Sequence, residues 1–325
     1  MAVTPARVVA LGGGHGLHAS LSALRRVVTD LTAVVTVADN GGSSGRLRGE
    51  FGVLPPGDLR MALAALCGDD EWGRTWERVV QHRFAGEGEM RGHVVGNLLI
   101  VGLWELFGGD PVEALDWVGR LLGAQGRVLP MAVTPLDIRA EVVGLDPADP
   151  SAATTVRGQV ELATTTGTIA SVGLDPPDPV ACKEAVAALR SADWVVLGPG
   201  SWYTSVIPHL IVPELRDALV STQARIVVTL NLAPQEGETV GYGPEDHLAA
   251  LWEHAPDLRV HTVLADPRSV PDLPALRRFL DGHGARLVVA EVARGDGTPR
   301  HDPGRLGTAY QQVFEERPEA PLKGD

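Results

Sequence analysis

Two rhythms of apolar residues alternate along the chain. Continuous runs such as Arg7-Val8-Val9-Ala10-Leu11 and Ala33-Val34-Val35-Thr36-Val37-Ala38 predict strands, and between them Leu17, Leu21, Leu24 and Val28 recur at helical spacing. Strand, glycine loop, helix and strand together open a right-handed βαβ unit. The second half resumes the alternation, with strands expected at Trp194 to Leu197, Ile226 to Leu230, Val260 to Leu264 and Leu287 to Val292. These runs are unbroken because parallel strands are covered on both faces. The stretch 127–174 is rich in Thr, Val and Gly and lacks helical periodicity, so it predicts a small irregular or antiparallel β-rich insertion. The expected fold is α/β, a Rossmann-like doubly wound and mostly parallel sheet forming a single domain over residues 1–316. A polar, proline-containing tail at 317–325 is expected to be disordered.

Helix boundaries are signalled by acid–proline pairs. Asp110-Pro111, Asp178-Pro179 and Asp302-Pro303 each predict an N-cap followed by Pro at the first helical position. Gly123 and Gly282 predict helix stops. Trp72, Trp76, Trp104, Trp117 and Trp252 sit in helical patterns beside Leu or Val and are expected in the core or an interface.

Charge narrows the function classes. The 325 residues hold 28 Lys and Arg against 41 Asp and Glu, a net −13, and the basic residues form no stripe. No nucleic-acid partner is expected, although a local cationic pocket for phosphate remains open. Cys67 and Cys182 are the two cysteines and form no CxxC pair, which points to a reducing cytoplasm. The start of the chain lacks the pattern of a signal peptide, and the apolar stretch Val94 to Phe107 is broken by Gly96, Asn97, Gly102 and Glu105, so no membrane span is expected.

The chemistry concentrates where strands end. Gly12-Gly13-Gly14-His15-Gly16 lies between a strand and a helix, where glycines admit positive φ and a close approach to ligand, and free amides favour an anion. Leu17 stands where a dinucleotide fingerprint needs Gly or Ala, and no Lys completes a P-loop. Asp39-Asn40-Gly41-Gly42-Ser43-Ser44 and Arg46 follow the second strand, offering a carboxylate, hydroxyls, close backbone approach and a cation. Asp58 either caps the following helix or joins Asp39 in holding Mg²⁺ beside phosphates. Gly198-Pro199-Gly200-Ser201-Trp202-Tyr203-Thr204 forms a second glycine turn, which could share one diphosphate with the first, or merely let Trp202 and Tyr203 pack. Asn231 at a strand end could read a base or sugar, Tyr242 could stack on a base, and His247 is expected on a helix surface. Asn97 needs a partner if buried, whether a ligand or a backbone group.

GGGHGL, VADNGGSSGRLR and LPPGDLR, followed by GHVVGNLLIVGLWELFGG, VVLGPGSWYTSVIPHL, NLAPQEGETVGYGPEDH and PRHD, resemble in order and spacing the gluconeogenesis-factor (YvcK-like) proteins of the wider CofD-like group. The matching segments run from about residue 7 to about residue 315. The resemblance implies a Rossmann-like fold and binding of a UDP-sugar, notably UDP-N-acetylglucosamine, by a cytoplasmic protein needed for cell shape and wall synthesis on gluconeogenic carbon. No reaction is firmly attached to that branch, so the chain is expected to be a binding regulator, with a wall-regulating protein and a second copy of itself as conceivable partners. The sister branch, 2-phospho-L-lactate transferases of coenzyme F420 synthesis, supplies the alternative. The resemblance makes Arg300 a candidate phosphate or uracil contact, against the alternative of a salt bridge. Relatives carry Thr in place of His15 and Asp in place of Asn40, which weakens a two-carboxylate metal site here, and Tyr in the segment matching Leu276 to Leu280, where Phe279 keeps the ring and loses the hydroxyl.

Overall fold

A computed structural model describes residues 4–235 and 237–315, so the tail expected at 317–325 lies outside the described residues. Seven strands form the main sheet: β1 (Thr4–Gly12), β2 (Val28–Val35), β3 (Arg127–Pro130), then β7 (Trp194–Leu197), β8 (Arg225–Thr229), β9 (Val260–Ala265) and β10 (Arg286–Val289). Every neighbouring pair runs parallel in the order β10-β9-β8-β7-β1-β2-β3. Between β3 and β7 the chain forms a separate antiparallel sheet, β5-β4-β6, from β4 (Asp137–Val143), β5 (Ala153–Arg157) and β6 (Thr168–Asp175). The expected β-rich segment at 127–174 is thus divided. Its first residues, β3, complete the edge of the main sheet beside β2, and only the remainder stands apart.

Leu11, Val34, Val196 and Val228 are fully buried on the central strands. The helix Gly14–Leu24 packs between the helices Pro56–Ala65 and Pro303–Glu315. Tyr310 of the last helix ties three parts of the chain together: its hydroxyl lies 2.7 Å from Ser20 Oγ and 2.9 Å from Thr229 Oγ1.

Local signals fared unevenly. Asp110 accepts from the amides of Val112 and Glu113, Asp302 accepts from those of Gly304 and Arg305, and Gly123 closes its helix in the left-handed region. Asp178-Pro179 starts no helix. Residues there run extended, with the Val133 amide bound to Val180 O and Ala132 bridged to Ala181, so the helix waits until Lys183. The helix does stop at Gly282, its last residue, and the left-handed reversal follows at Gly284 (φ +68°). Val28 continues a helical rhythm in sequence but opens β2, because the helix has already ended at Leu24. Trp104 is buried, whereas Trp72 and Trp117 are exposed.

Candidate functional site

Strand order reverses between β1 and β7, which extend the sheet in opposite directions. Ligands of open α/β sheets bind at such a switch point, beyond the carboxyl ends of the strands. Each of these strands ends in one of the glycine turns, and the turns touch: a Cβ built on Gly16 would lie 2.2 Å from Pro199 O and 2.6 Å from Gly200 Cα. Gly14 enters the helix with φ +56°, a conformation that glycine adopts without strain.

Beside the contact opens a cavity of about 360 Å³. Its walls include His15, Gly16, His18, Gly200, Asn231, Arg294, Arg300 and His301, and no Asp or Glu is among the described residues lining it. In a chain of net −13, the described part of this wall is cationic and carries no acid. Arg294 and Arg300 are exposed and form no ion pair among the described residues. Burial, reinforced by His15 and nearby arginines, holds the His18 imidazole down at about 4. Burial likewise lowers His301 to about 4, with a backbone bond to Leu230 and the Asp266 charge opposing it. Both rings are therefore neutral at pH 7, and the standing positive charge comes from the arginines.

The second turn departs from expectation. Its amides do not face a ligand, because side chains of the following segment already accept from them. Asn231 Oδ1 takes the Gly200 amide (2.9 Å), Gln235 Oε1 that of Trp202 (3.2 Å) and Glu238 Oε2 that of Tyr203 (3.0 Å). Asn231 Nδ2 also donates to Gly200 O at 2.8 Å, so this amide braces the turn instead of reading a base. Ser201 and Thr204 both donate to the buried Glu238 carboxylate. The Tyr242 hydroxyl lies 2.8 Å from that of Tyr203, and the planes of its ring and the Tyr203 and His247 rings meet at 78°, away from the residues lining the crevice. His247 is buried, not on the surface, and Trp202 is fully enclosed.

The loop after β2 lies behind the first turn. Asp58 caps nothing in its own helix. It sits in the first turn of Pro56–Ala65 and accepts from the Gly14 amide, and a Cβ on Gly13 would lie 2.6 Å from its Oδ2. Burial, then repulsion from Asp39, pushes its carboxyl up to about 7, against which the Gly14 bond pulls. Asp39 Oδ1 accepts from the Gly41 amide at 2.8 Å, and its other oxygen packs on Gly57. Gly42 has φ +50° with open space where a side chain would be. Asn40 leaves the ligand side: Nδ2 donates to Glu161 Oε2 (2.8 Å) and Oδ1 accepts from the Val160 amide (3.1 Å), fastening the insertion's short helix Gln159–Ala163. Arg46 donates to the carbonyls of Glu89 and Arg91. Ser44 is buried against Gly57, and Ser43 is tied to His93, Val94 and Asn97. Asn97 is satisfied by protein, accepting from Arg60 Nε (2.9 Å) and donating to Ser43 Oγ (3.1 Å). Among the described residues no group of three or more His, Cys, Asp or Glu is placed to hold a metal ion.

Several site residues carried no sequence signal of their own. Arg60 is buried beside Asp58 and lowered to about 10 by burial and Arg83, with Asp58 and Asp39 opposing. Its place next to Asp58 in LPPGDLR was the available clue. His18 follows the first turn by one helical step, and His301 adjoins Arg300. Phe279 packs on Trp252 and His283, away from the cavity-lining residues.

Comparison with known proteins agrees with this architecture. Residues 8–285 match the family described as 2-phospho-L-lactate transferase CofD. A provisionally named gluconeogenesis factor of Mycobacterium tuberculosis (strain ATCC 25618 / H37Rv) is 53% identical over 309 residues, 94% of this chain and 90% of that protein. The gluconeogenesis factor of Halalkalibacterium halodurans is 39% identical over 247 residues, 76% of this chain and 73% of its own. The crystal structure of a UPF0052-family protein from Bacillus halodurans superposes with a TM-score of 0.83 at 32% identity, covering 94% of this chain and 99% of that one. Fold, motif order and these similarities together make the chain a member of the gluconeogenesis-factor proteins within the CofD-like family.

Proposed function

We propose that the chain binds a nucleotide diphosphate sugar, UDP-N-acetylglucosamine, in the crevice between β1 and β7. In this reading it works as a cytoplasmic regulator that couples carbon supply to wall synthesis and cell shape, acting through a protein partner and without turning the ligand over. The observation that carries the reading is the acid-free wall. Arg294 and Arg300 form no ion pair among the described residues, and a diphosphate would supply countercharge through short, charge-assisted bonds. His15 and the neutral His18 add polar contacts, and the start of the helix, past the Gly14 amide that Asp58 holds, favours the same anion. A Mg²⁺ ion accompanying the diphosphate would find Asp39 and the ionised form of Asp58. Two carboxylates with no third protein ligand suit an ion that keeps much of its water.

Titration calorimetry with UDP-N-acetylglucosamine tests the proposal. Binding in the micromolar range is expected, weakened about 10- to 100-fold in Arg300→Ala, or roughly 1.4–2.8 kcal/mol. Absence of heat with every UDP-sugar tried overturns it. One observation favours a transferase instead: Asp58, held near neutrality beside Asp39, is poised to exchange a proton. Formation of product from a GDP-linked phospho-acid and a deazaflavin acceptor would replace the regulator with that enzyme.

A further inference from the structure

Far from the crevice, three helices next to the β3 edge leave a continuous apolar strip uncovered. Trp72 is 54% exposed on the helix Glu71–Gln81, Leu106 is 73% exposed at the end of Val95–Leu106, and Trp117 and Leu121 are 45% and 37% exposed on Pro111–Leu122. They adjoin one another. Trp72 Nε1 donates to Leu121 O at 3.1 Å, and Trp117 stacks on Phe107 at 6.1 Å with the planes 12° apart. Two half-exposed tryptophans in one strip are costly to leave in water and are residues favoured at interface centres.

The charges flanking Trp117 say what covers it. Glu113, Trp117 and Arg120 stand at i, i+4 and i+7 on one exposed face of the helix. Glu113 forms no ion pair among the described residues, and the Arg120 guanidinium lies over the Trp117 ring, 4.8 Å from its centroid. One charge of each sign, placed nearly symmetrically about Trp117, makes the face self-complementary. Turned about a twofold axis through Trp117, it sets Glu113 against Arg120 of the partner subunit, and Arg120 against Glu113 of the partner subunit.

We propose that this strip is the interface of a homodimer, built on antiparallel pairing of the helices Pro111–Leu122 with Trp117 at the axis. The proposal does not rest on the ligand reading, and the crevice stays open in the dimer.

Sedimentation velocity of the full chain from about 1 to about 100 µM tests it. The expected species has twice the 34.3 kDa of the chain. Trp117→Glu should leave a monomer. Because Trp117 also stacks on Phe107, the exposed charges supply a second test that leaves that stack in place. Glu113→Arg and Arg120→Glu should each weaken the dimer at least about tenfold, since symmetry makes every swap count twice, and the double variant should restore it. A monomer at all concentrations, or a dimer indifferent to both single swaps, overturns the proposal.

Discussion

Replacing Gly16 by alanine tests whether the two glycine turns form one site. Gly16 lies in the first helical turn and its φ is not positive, so alanine is conformationally acceptable and its helix propensity alone would add about 1 kcal/mol of stability. The new methyl, however, would lie 2.2 Å from Pro199 O and 2.6 Å from Gly200 Cα. Both are backbone atoms of a turn held by Asn231, so no rotamer change can relieve the clash. Overpacking of this kind costs about 3 kcal/mol at the upper end of its usual range, leaving a net loss of about 2 kcal/mol. For 325 residues the entropy of unfolding makes that a fall in Tm of about 3 °C. Calorimetric melting reads it directly, and the separated turns should also bind the nucleotide sugar less tightly. A Gly16→Ala protein that melts higher than wild type, as propensity alone dictates, refutes the close contact and the shared crevice with it.

Asp58 makes stability depend on pH with a sign opposite to that of an ion-paired carboxylate. Its folded pKa of about 7 exceeds the unfolded 3.8, so the native state holds the extra proton, and stability falls as pH rises through 7. Urea unfolding at about pH 5 and about pH 8 should show the fall in wild type and a flatter profile in Asp58→Asn. Asn97→Leu would leave the buried Arg60 Nε–H without its acceptor and should cost about 2 kcal/mol in the same assay; a cost under about 1 kcal/mol would contradict the network. Arg300→Ala, at an exposed position, should change Tm by less than about 1 °C while weakening the nucleotide sugar, a split between stability and binding that a structural arginine would not give.

The parallel sheet was legible because its strands are short, continuous apolar runs, and the caps at Asp110 and Asp302 because cap and proline act within one turn of chain. Asp178 carried the same local signal and failed, since pairing with the segment after β3 holds its neighbourhood extended. The meeting of the two turns followed from strand ends alone. What sequence could not show was whether their amides were free. The acceptors on the second turn come from Asn231, Gln235 and Glu238, some 31 to 35 positions downstream, and Glu161 reaches Asn40 across 121. Such partners are settled by tertiary packing, which also ties Asn97 to Arg60 and Arg46 to the carbonyls of Glu89 and Arg91.

The Tyr310 clasp has a bearing on synthesis. The last wall of the crevice, Arg294 to Pro303, is delivered just before the helix whose tyrosine grips Ser20 and Thr229. A chain emerging from the ribosome therefore makes its first glycine turn some 280 residues before the opposite side of the crevice. On the proposed reading, copies that stop short of Arg294 would lack the cationic side of the crevice and bind the nucleotide sugar poorly.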